Sequence, residues 1–396
     1  MKLHEHQQAA ITRAIGSDPL ILIQGGAGTG KTTIIAEIIA SLRSNGENVE
    51  LCAPTGKAAA RLREATGSFA STIHRMLKYN FLVFTRETLA GITVICDEAT
   101  MVPTWILFEI IKRRPARIVL VGDFAQLPPV DAGQPFHDLV THRHDLVAEL
   151  TQCFRASESV YQAATAIRHG QAPGRSAASA RERWHVQDSG SIEATHAAVV
   201  DMVKRGEIEF PKGADVILAP RNGKRGEFQP GTVYWLNYEI ARLLIPRDDE
   251  TFICVGDRVI NTQNNPDKDI WNGTTATVAD IEPDGAVWIE TDQPVKGDNG
   301  QQTTTVRLTK GEALKLDLGY ALSVHKSQGS QYERVVFVCH RKDAFSLTRS
   351  LIYTAVTRTK HECIVVGDYA ALCAGINKVS AKRTVLAHLL TGGATA

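Results

Sequence analysis

No C-x-x-C pair occurs among the seven cysteines, no apolar run is long and unbroken enough to span a bilayer, and the formal net charge is only +1. Each absence excludes something. Without paired cysteine spacing, neither a zinc site nor a disulfide framework is expected. Cys52, Cys96, Cys254, Cys339 and Cys363 lie in apolar, strand-like runs and read as small buried hydrophobes. The short apolar runs predict no membrane span, and the N-terminus MKLHEHQQAA lacks the apolar core of a signal peptide, so a soluble, cytoplasmic protein is expected. The near-zero charge means that the molecule as a whole is not a basic nucleic-acid binder; any such binding must use a local groove. At 396 residues, the chain is expected to form two or more domains, each with its own core.

What is present begins with ILIQGGAGTGKTTIIAEII, residues 21–39. The apolar, β-branched run ending at Gln24 predicts a strand, the glycines a loop, and Ile34, Ile35, Ile38 and Ile39 the buried face of a helix. Gly25, Gly30, Lys31 and Thr32 match G-x-x-x-x-G-K-[ST], and Gly26, Ala27, Gly28, Thr29 and Thr33 complete the segment. In that pattern glycines let backbone N–H groups face phosphates, and the helix N-terminus favours their negative charge. Lys31 is the candidate ligand of the β and γ phosphates of ATP, and Thr32 the candidate ligand of magnesium.

Strand-like VELCAP (49–54), ITVICDEA (92–99) and RIVLVGD (117–123) alternate with helix-like GKAAARLREATG (56–67). Such alternation predicts a parallel sheet covered on both faces, with ligands at the carboxyl ends of its strands. Asp97 and Glu98 end one buried strand, where charge is costly without a metal or a partner. Asp97 can hold magnesium through water, and Glu98 can orient or deprotonate an attacking water. Asp123 and Gln126, in VGDFAQLPPV (121–130), follow the next strand, and Gln126 can report the γ-phosphate.

The ordered set GGAGTGKT, APTGKAA, STIH, DEATM, GDFAQLPPV, QCFR (152–155), GYALSVHKSQGSQY (319–332) and YTAVTR (353–358) resembles the motifs of superfamily 1 helicases, in the RecD-like branch, superfamily 1B, and covers nearly the whole chain. Thr100 stands where that family usually has serine, and keeps the hydroxyl. The resemblance implies an α/β fold of two RecA-like P-loop NTPase domains. Residues 1–140 would form the first motor domain, with a short pin insertion at about 78–91. Residues 141–250 and 313–396 would form the second, and 251–312 an inserted SH3-like β-barrel. The insert also reads as β from its own residues: FICVGDRVINT, TATVADI and AVWIET are separated by NNPDKD, EPDG and KGDNGQQ, which are turn signals, and WNGTTATV (271–278) carries an Asn-Gly turn. No second phosphate loop appears in the second half, which fits one ATP served by two similar domains.

By the same resemblance, Gln7 reads the adenine, Arg155 and Arg358 stabilise charge on the γ-phosphate, and Gln328 and Gly329 approach the nucleotide. Pro54, Thr55, Lys57, Thr72, His74, Ser323, His325 and Lys326 are its DNA contacts; hydroxyls, a helix N-terminus and scattered basic groups can hold a phosphate backbone without reading bases. Lys112, Arg113 and Arg114 read instead as a solvated helix end complementing the dipole. KYNFLVFTRETLAG (78–91) stands where the family has its pin, and Phe81 to Phe84 are either an apolar tip or an ordinary core strand.

The expected activity is magnesium- and ATP-dependent DNA unwinding, with 5′ to 3′ translocation implied by the resemblance alone. The expected partners are single-stranded DNA and its junctions with duplex, with replication or recombination proteins as further candidates. Two alternatives stay open, a motor subunit of a RecBCD-like recombination nuclease complex and an ATP-switched nucleic-acid remodeller that does not unwind. The position of Gln7, so near the first residue that no docking domain precedes it, favours an autonomous helicase over the first of these.

Overall fold

The computed structural model describes residues 3–80, 82–152, 158–179, 182–210, 214–225, 227–248, 251–297, 300–379 and 382–391. They fall into two compact units, one of residues 1–156 with 380–396 and one of residues 157–379.

The first unit runs α1 (Glu5–Ala14), β1 (Leu20–Gly25), α2 (Lys31–Ser44), β2 (Asn48–Ala53), α3 (Gly56–Thr66), β3 (Ala70–Thr72), α4 (Ile73–Met76), β4 (Ile92–Cys96), α5 (Thr104–Ile111), β5 (Arg117–Gly122), α6 (Pro135–His142) and β6 (Val147–Leu150). Its six strands form one parallel sheet in the order β3-β2-β4-β5-β1-β6. The strands read as unbroken apolar runs because successive side chains enter two different cores. Ile21, Ile23, Ile95, Val119 and Val121 pack with Ile34, Ile35, Ile38 and Leu42 of α2 on one face. Leu22, Val94, Cys96, Ile118 and Leu120 pack with Ile106 and Ile110 of α5 and with Phe136 of α6 on the other.

The expected division at residue 140 is moved by two contacts. β6 pairs in parallel with β1, from Leu22 opposite Val147 to Gly25 opposite Leu150, which places it in the first sheet. The C-terminal segment also belongs to this unit: Lys382 donates to the Asp131 carbonyl at 2.9 Å, and the Thr384 hydroxyl to Asp138 at 2.5 Å.

The second unit contains α7 (Glu158–Arg168), β7 (Ser176–Ser179), β8 (Glu182–Asp188), α8 (Ile192–Lys204), β9 (Asp215–Ala219), α9 (Val233–Leu244), β10 (Arg258–Asn261), β11 (Thr275–Ile281), β12 (Val287–Lys296), β13 (Gln302–Leu308), α10 (Lys310–Ala313), β14 (Leu316–Leu318), β15 (Ala321–Ser323), β16 (Tyr332–Cys339), α11 (Arg349–Val356), β17 (Thr359–Gly367) and α12 (Tyr369–Asn377). One sheet has the order β15-β9-β16-β17-β8-β7 and is parallel except at the β7–β8 edge. The other is a five-stranded antiparallel sheet, β13-β12-β11-β10-β14, around Val259, Val278, Ile289, Val306 and Leu308. It extends past the expected insert, because β14, at residues 316–318, pairs with β10.

A buried ion pair fastens this sheet to α9. Arg247 makes two bonds to Asp257, of 2.8 and 2.7 Å, and the Tyr320 hydroxyl donates to Asp257 at 2.8 Å. Cys52, Cys96, Cys339 and Cys363 are buried strand residues, as their sequence context suggests. Cys254 is not. It lies half-buried in the loop before β10, where its N–H donates to Asp257. Among the described residues no helix is long and apolar enough to cross a membrane.

Candidate nucleotide and nucleic-acid sites

Between β1 and α2 the chain turns through Gly28 and Gly30, both at positive φ, of 77° and 81°. Gly30 caps α2 in the left-handed region, and a Cβ there would stand 2.6 Å from the Gln7 amide nitrogen. Both conditions select glycine. Gln7 is buried on α1; its oxygen accepts from the His4 N–H at 3.0 Å and its nitrogen donates to the Thr29 carbonyl at 3.3 Å. The candidate adenine residue therefore sits directly against the phosphate loop. Lys31 extends over the same loop, and its ammonium donates to the carbonyls of Gly25 and Gly26, each at 2.8 Å. Thr32 and Thr33 form the first turn of α2.

Two strands over, β4 delivers Asp97 and Glu98. Burial, reinforced by the neighbouring Glu98 carboxylate, pushes the Asp97 carboxyl up to about 6, against the pull of Lys31 and Arg61 and a 2.9 Å bond from the Glu98 N–H. Those interactions bring the phosphate loop, α3 and the acidic pair into one electrostatic neighbourhood. Glu98 has φ of 51°, a left-handed conformation uncommon outside glycine, which opens the single turn Ala99–Met101. The hydroxyl-bearing Thr100 is fully buried in that turn.

β5 then places Asp123, buried, and Gln126, whose amide donates to Asp123 at 3.3 Å. Gln24 at the end of β1 accepts from the Phe124 N–H at 2.9 Å and so clips this loop to the phosphate-loop strand. Gln7, the 25–33 segment, Asp97, Glu98 and Gln126 thus share the carboxyl edge of one parallel sheet. Thr32 and Asp97 offer hard oxygen donors, one neutral and one acidic, of the kind magnesium takes together with water and phosphate oxygens.

The same edge continues outward. Pro54, Thr55 and Lys57 follow β2, and Thr72 and His74 follow β3, its register neighbour. Thr55 caps α3 by accepting from the Ala58 N–H, and Thr72 caps α4 by accepting from the Arg75 N–H, both at 3.2 Å. His74 lies in a ring cluster with Tyr79 at 5.4 Å, Phe84 at 5.7 Å and Trp105 at 6.1 Å, and burial there lowers its pKa, which favours the neutral ring. Trp105 is not legible from sequence as part of this site, because α5 meets His74 only through the fold. The Asn80 side chain accepts from the N–H groups of Leu82 and Val83, and Tyr79 bridges Phe84. Leu82 and Val83 are 86% and 58% exposed, a tip and not a core strand; Phe84 packs inward, and Phe81 lies outside the described residues. Arg113 is likewise not a solvated helix end: it is buried and paired with Glu109 at 2.6 Å.

In the second unit, β15 ends at Ser323, which accepts from the Lys326 N–H at 3.3 Å; His325 is exposed, and Lys326 stands 3.8 Å from Asp317. Gln328 is buried, and Gly329 has φ of 76°. Arg358 is also buried, and its guanidinium donates to the carbonyls of Thr354 and Ser330, each at 3.3 Å, so it sits beside the Gln328–Ser330 turn. Arg155 lies outside the described residues.

Comparison with known proteins supplies what geometry alone does not. The profile of the AAA domain matches residues 2–191, and that of the UvrD-like helicase C-terminal domain matches residues 318–366. The ATP-dependent RecD2 DNA helicase of Deinococcus radiodurans is 34% identical over 380 residues, covering 92% of this chain and 49% of that protein. This chain therefore spans about half the length of that relative. The RecBCD enzyme subunit RecD of Mycolicibacterium smegmatis is 32% identical over 430 residues, covering 96% of this chain and 74% of that protein. Among solved structures, the Pif1 helicase from Candida albicans superposes with a TM-score of 0.58 at 18% identity, covering 99% of both chains, a likeness of fold.

Proposed function

The chain belongs to the RecD-like branch of the superfamily 1B helicases, and from that premise we propose that it is an ATP-dependent DNA helicase moving 5′ to 3′ along single-stranded DNA. The observation that carries this reading is the gathering of Gln7, the Lys31 loop, Asp97, Glu98 and Gln126 on one sheet edge, with the Thr55 and Thr72 turns on the strands beside them. Lys31 leaves its loop carbonyls for the β and γ phosphates of ATP. Thr32 and Asp97 would hold magnesium, which when bound would supply charge neutralisation on those phosphates. Glu98 orients the attacking water and accepts its proton, and Gln126 registers whether the γ-phosphate is present.

Arg358 and Arg155 take the charge that develops on the γ-phosphate, and Gln328 with Gly329 closes on the nucleotide. Pro54, Thr55, Lys57, Thr72, His74, Ser323, His325 and Lys326 hold the phosphate backbone of one strand. The exposed tip at Leu82 and Val83 acts as the wedge that the other strand cannot pass, and the antiparallel sheet of β10 to β14 is the SH3-like insert of this family. Lys31→Ala tests the core of this reading: the variant should fold and lose ATP hydrolysis, and turnover near wild type would remove the phosphate-loop assignment. The likeness to mycobacterial RecD favours a second reading, a motor subunit of a recombination nuclease. Strand separation by the purified chain alone counts against that alternative.

A further inference from the structure

We propose that α9 carries a stacking site for unpaired bases, an additional contact for single-stranded DNA beyond those the helicase motifs supply; this rests on the nucleic-acid reading above. Leu236, Ile240 and Ala241 turn into the core of the unit, which leaves Tyr234, Trp235 and Tyr238 half-buried on the outer side of the helix. The Tyr234 and Tyr238 rings, one helical turn apart, are nearly parallel at 15° with centroids 6.4 Å apart. Trp235 meets Tyr238 edge-on at 5.3 Å, and its indole N–H donates to the Glu227 carbonyl at 2.7 Å, which fixes the ring.

Two cavities of about 240 and 220 Å³ share Tyr234, Tyr238, Phe252 and Leu318 and so form one trough along the helix. Cations stand at both ends. Arg225 and Arg242 line the first cavity, with Arg242 packed 5.4 Å over the Tyr238 ring, and Lys326 lines the second. Among the described lining residues the acids are Asp248 in the first cavity and Asp317 in the second, and Arg247 in the first is committed to Asp257. Flat π faces with flanking guanidinium groups suit bases and their phosphates without regard to sequence, because every base has a π face. Lys326 belongs to the HKSQG segment, so the trough continues a contact the family motifs already assign to DNA.

The test uses the full chain and a fluorescent oligothymidylate at fixed salt. Tyr238→Leu should bind about 5- to 150-fold more weakly, the loss of one stacked base, while Tyr238→Phe, which keeps the ring, should bind as wild type. Arg242→Gln should lower the slope of log affinity against log salt by about 0.7, one phosphate contact on a single strand. Independently of any variant, an oligonucleotide carrying 5-iodouridine should photocrosslink to Tyr234, Trp235 or Tyr238 of the wild-type chain. A cooperatively melting Tyr238→Leu protein with wild-type affinity, or crosslinks confined to segments outside 227–248, overturns the stacking site alone. Failure of the wild-type chain to bind the oligonucleotide at all overturns it together with the helicase reading.

Discussion

Lowering the pH through 6 should expose Asp97 as the acidic switch of the nucleotide site. In the folded chain burial pushes its carboxyl up to about 6, from an ordinary value of 3.8. Between those values the folded state binds more protons than the unfolded one, so stability falls as pH rises through the window. The contribution is fully present below about 4 and is lost above about 6. Two pK units correspond to nearly 3 kcal/mol at most; since Asp97 keeps some solvent contact at the strand end, about 1–3 kcal/mol is expected. Asp97→Asn removes the titration while still accepting from the Glu98 N–H. The variant should therefore be more stable than wild type by that amount at pH 7, with the difference shrinking towards pH 4. Denaturant unfolding at half-unit pH steps measures it. ATP hydrolysis runs the other way, because only the ionised carboxylate serves the cation, and should decline at acid pH, with a midpoint below that of the metal-free chain because a bound cation favours the ionised form. Parallel stability curves for the two proteins across this range would refute the buried-carboxylate argument.

Arg358→Lys should cut ATP turnover by roughly 10³-fold, the scale of arginine fingers, while leaving the melting transition in place, as steady-state turnover and calorimetry will show. Replacing the exposed tip residues Leu82 and Val83 by serine should shift stability by no more than about 0.5 kcal/mol, keep DNA-stimulated ATP hydrolysis and reduce strand separation; unwinding at the wild-type rate would remove the wedge role. Arg247→Ala strands the buried Asp257 carboxylate and should cost about 3–5 kcal/mol in urea unfolding.

How much of this could be read in advance depended on how local each determinant is. The phosphate loop was legible because its strand, glycines and helix lie within 19 consecutive residues, and the same residues hold Lys31 over the loop carbonyls. Helix α2 was legible too, since Ile34, Ile35, Ile38 and Ile39 recur at helical spacing and all turn into one core. β6 was not: four residues with no flanking helical pattern gain strand identity only by pairing with β1, more than 120 positions earlier. The C-terminal segment docks on the first unit through Asp131 and Asp138, contacts about 250 residues distant in sequence that no periodicity encodes. Arg61 at Asp97 and Trp105 at His74 were missed for the same reason, because each meets its partner only through the sheet's strand order. The aromatic face of α9 is not fixed by spacing alone: Tyr234 and Tyr238 share a helical face whose outward direction depends on which side Leu236 and Ile240 bury.

The central claim is that ATP hydrolysis at the Lys31 loop drives separation of DNA strands. Its most direct measurement is strand displacement by the purified chain on duplexes with a 5′ or a 3′ single-stranded tail, with ATP and magnesium and with Lys31→Ala as control. The account predicts displacement of the 5′-tailed duplex, dependent on ATP and absent from the control. Robust DNA-stimulated ATP hydrolysis with no displacement on either substrate would contradict it and leave an ATP-switched remodeller in its place.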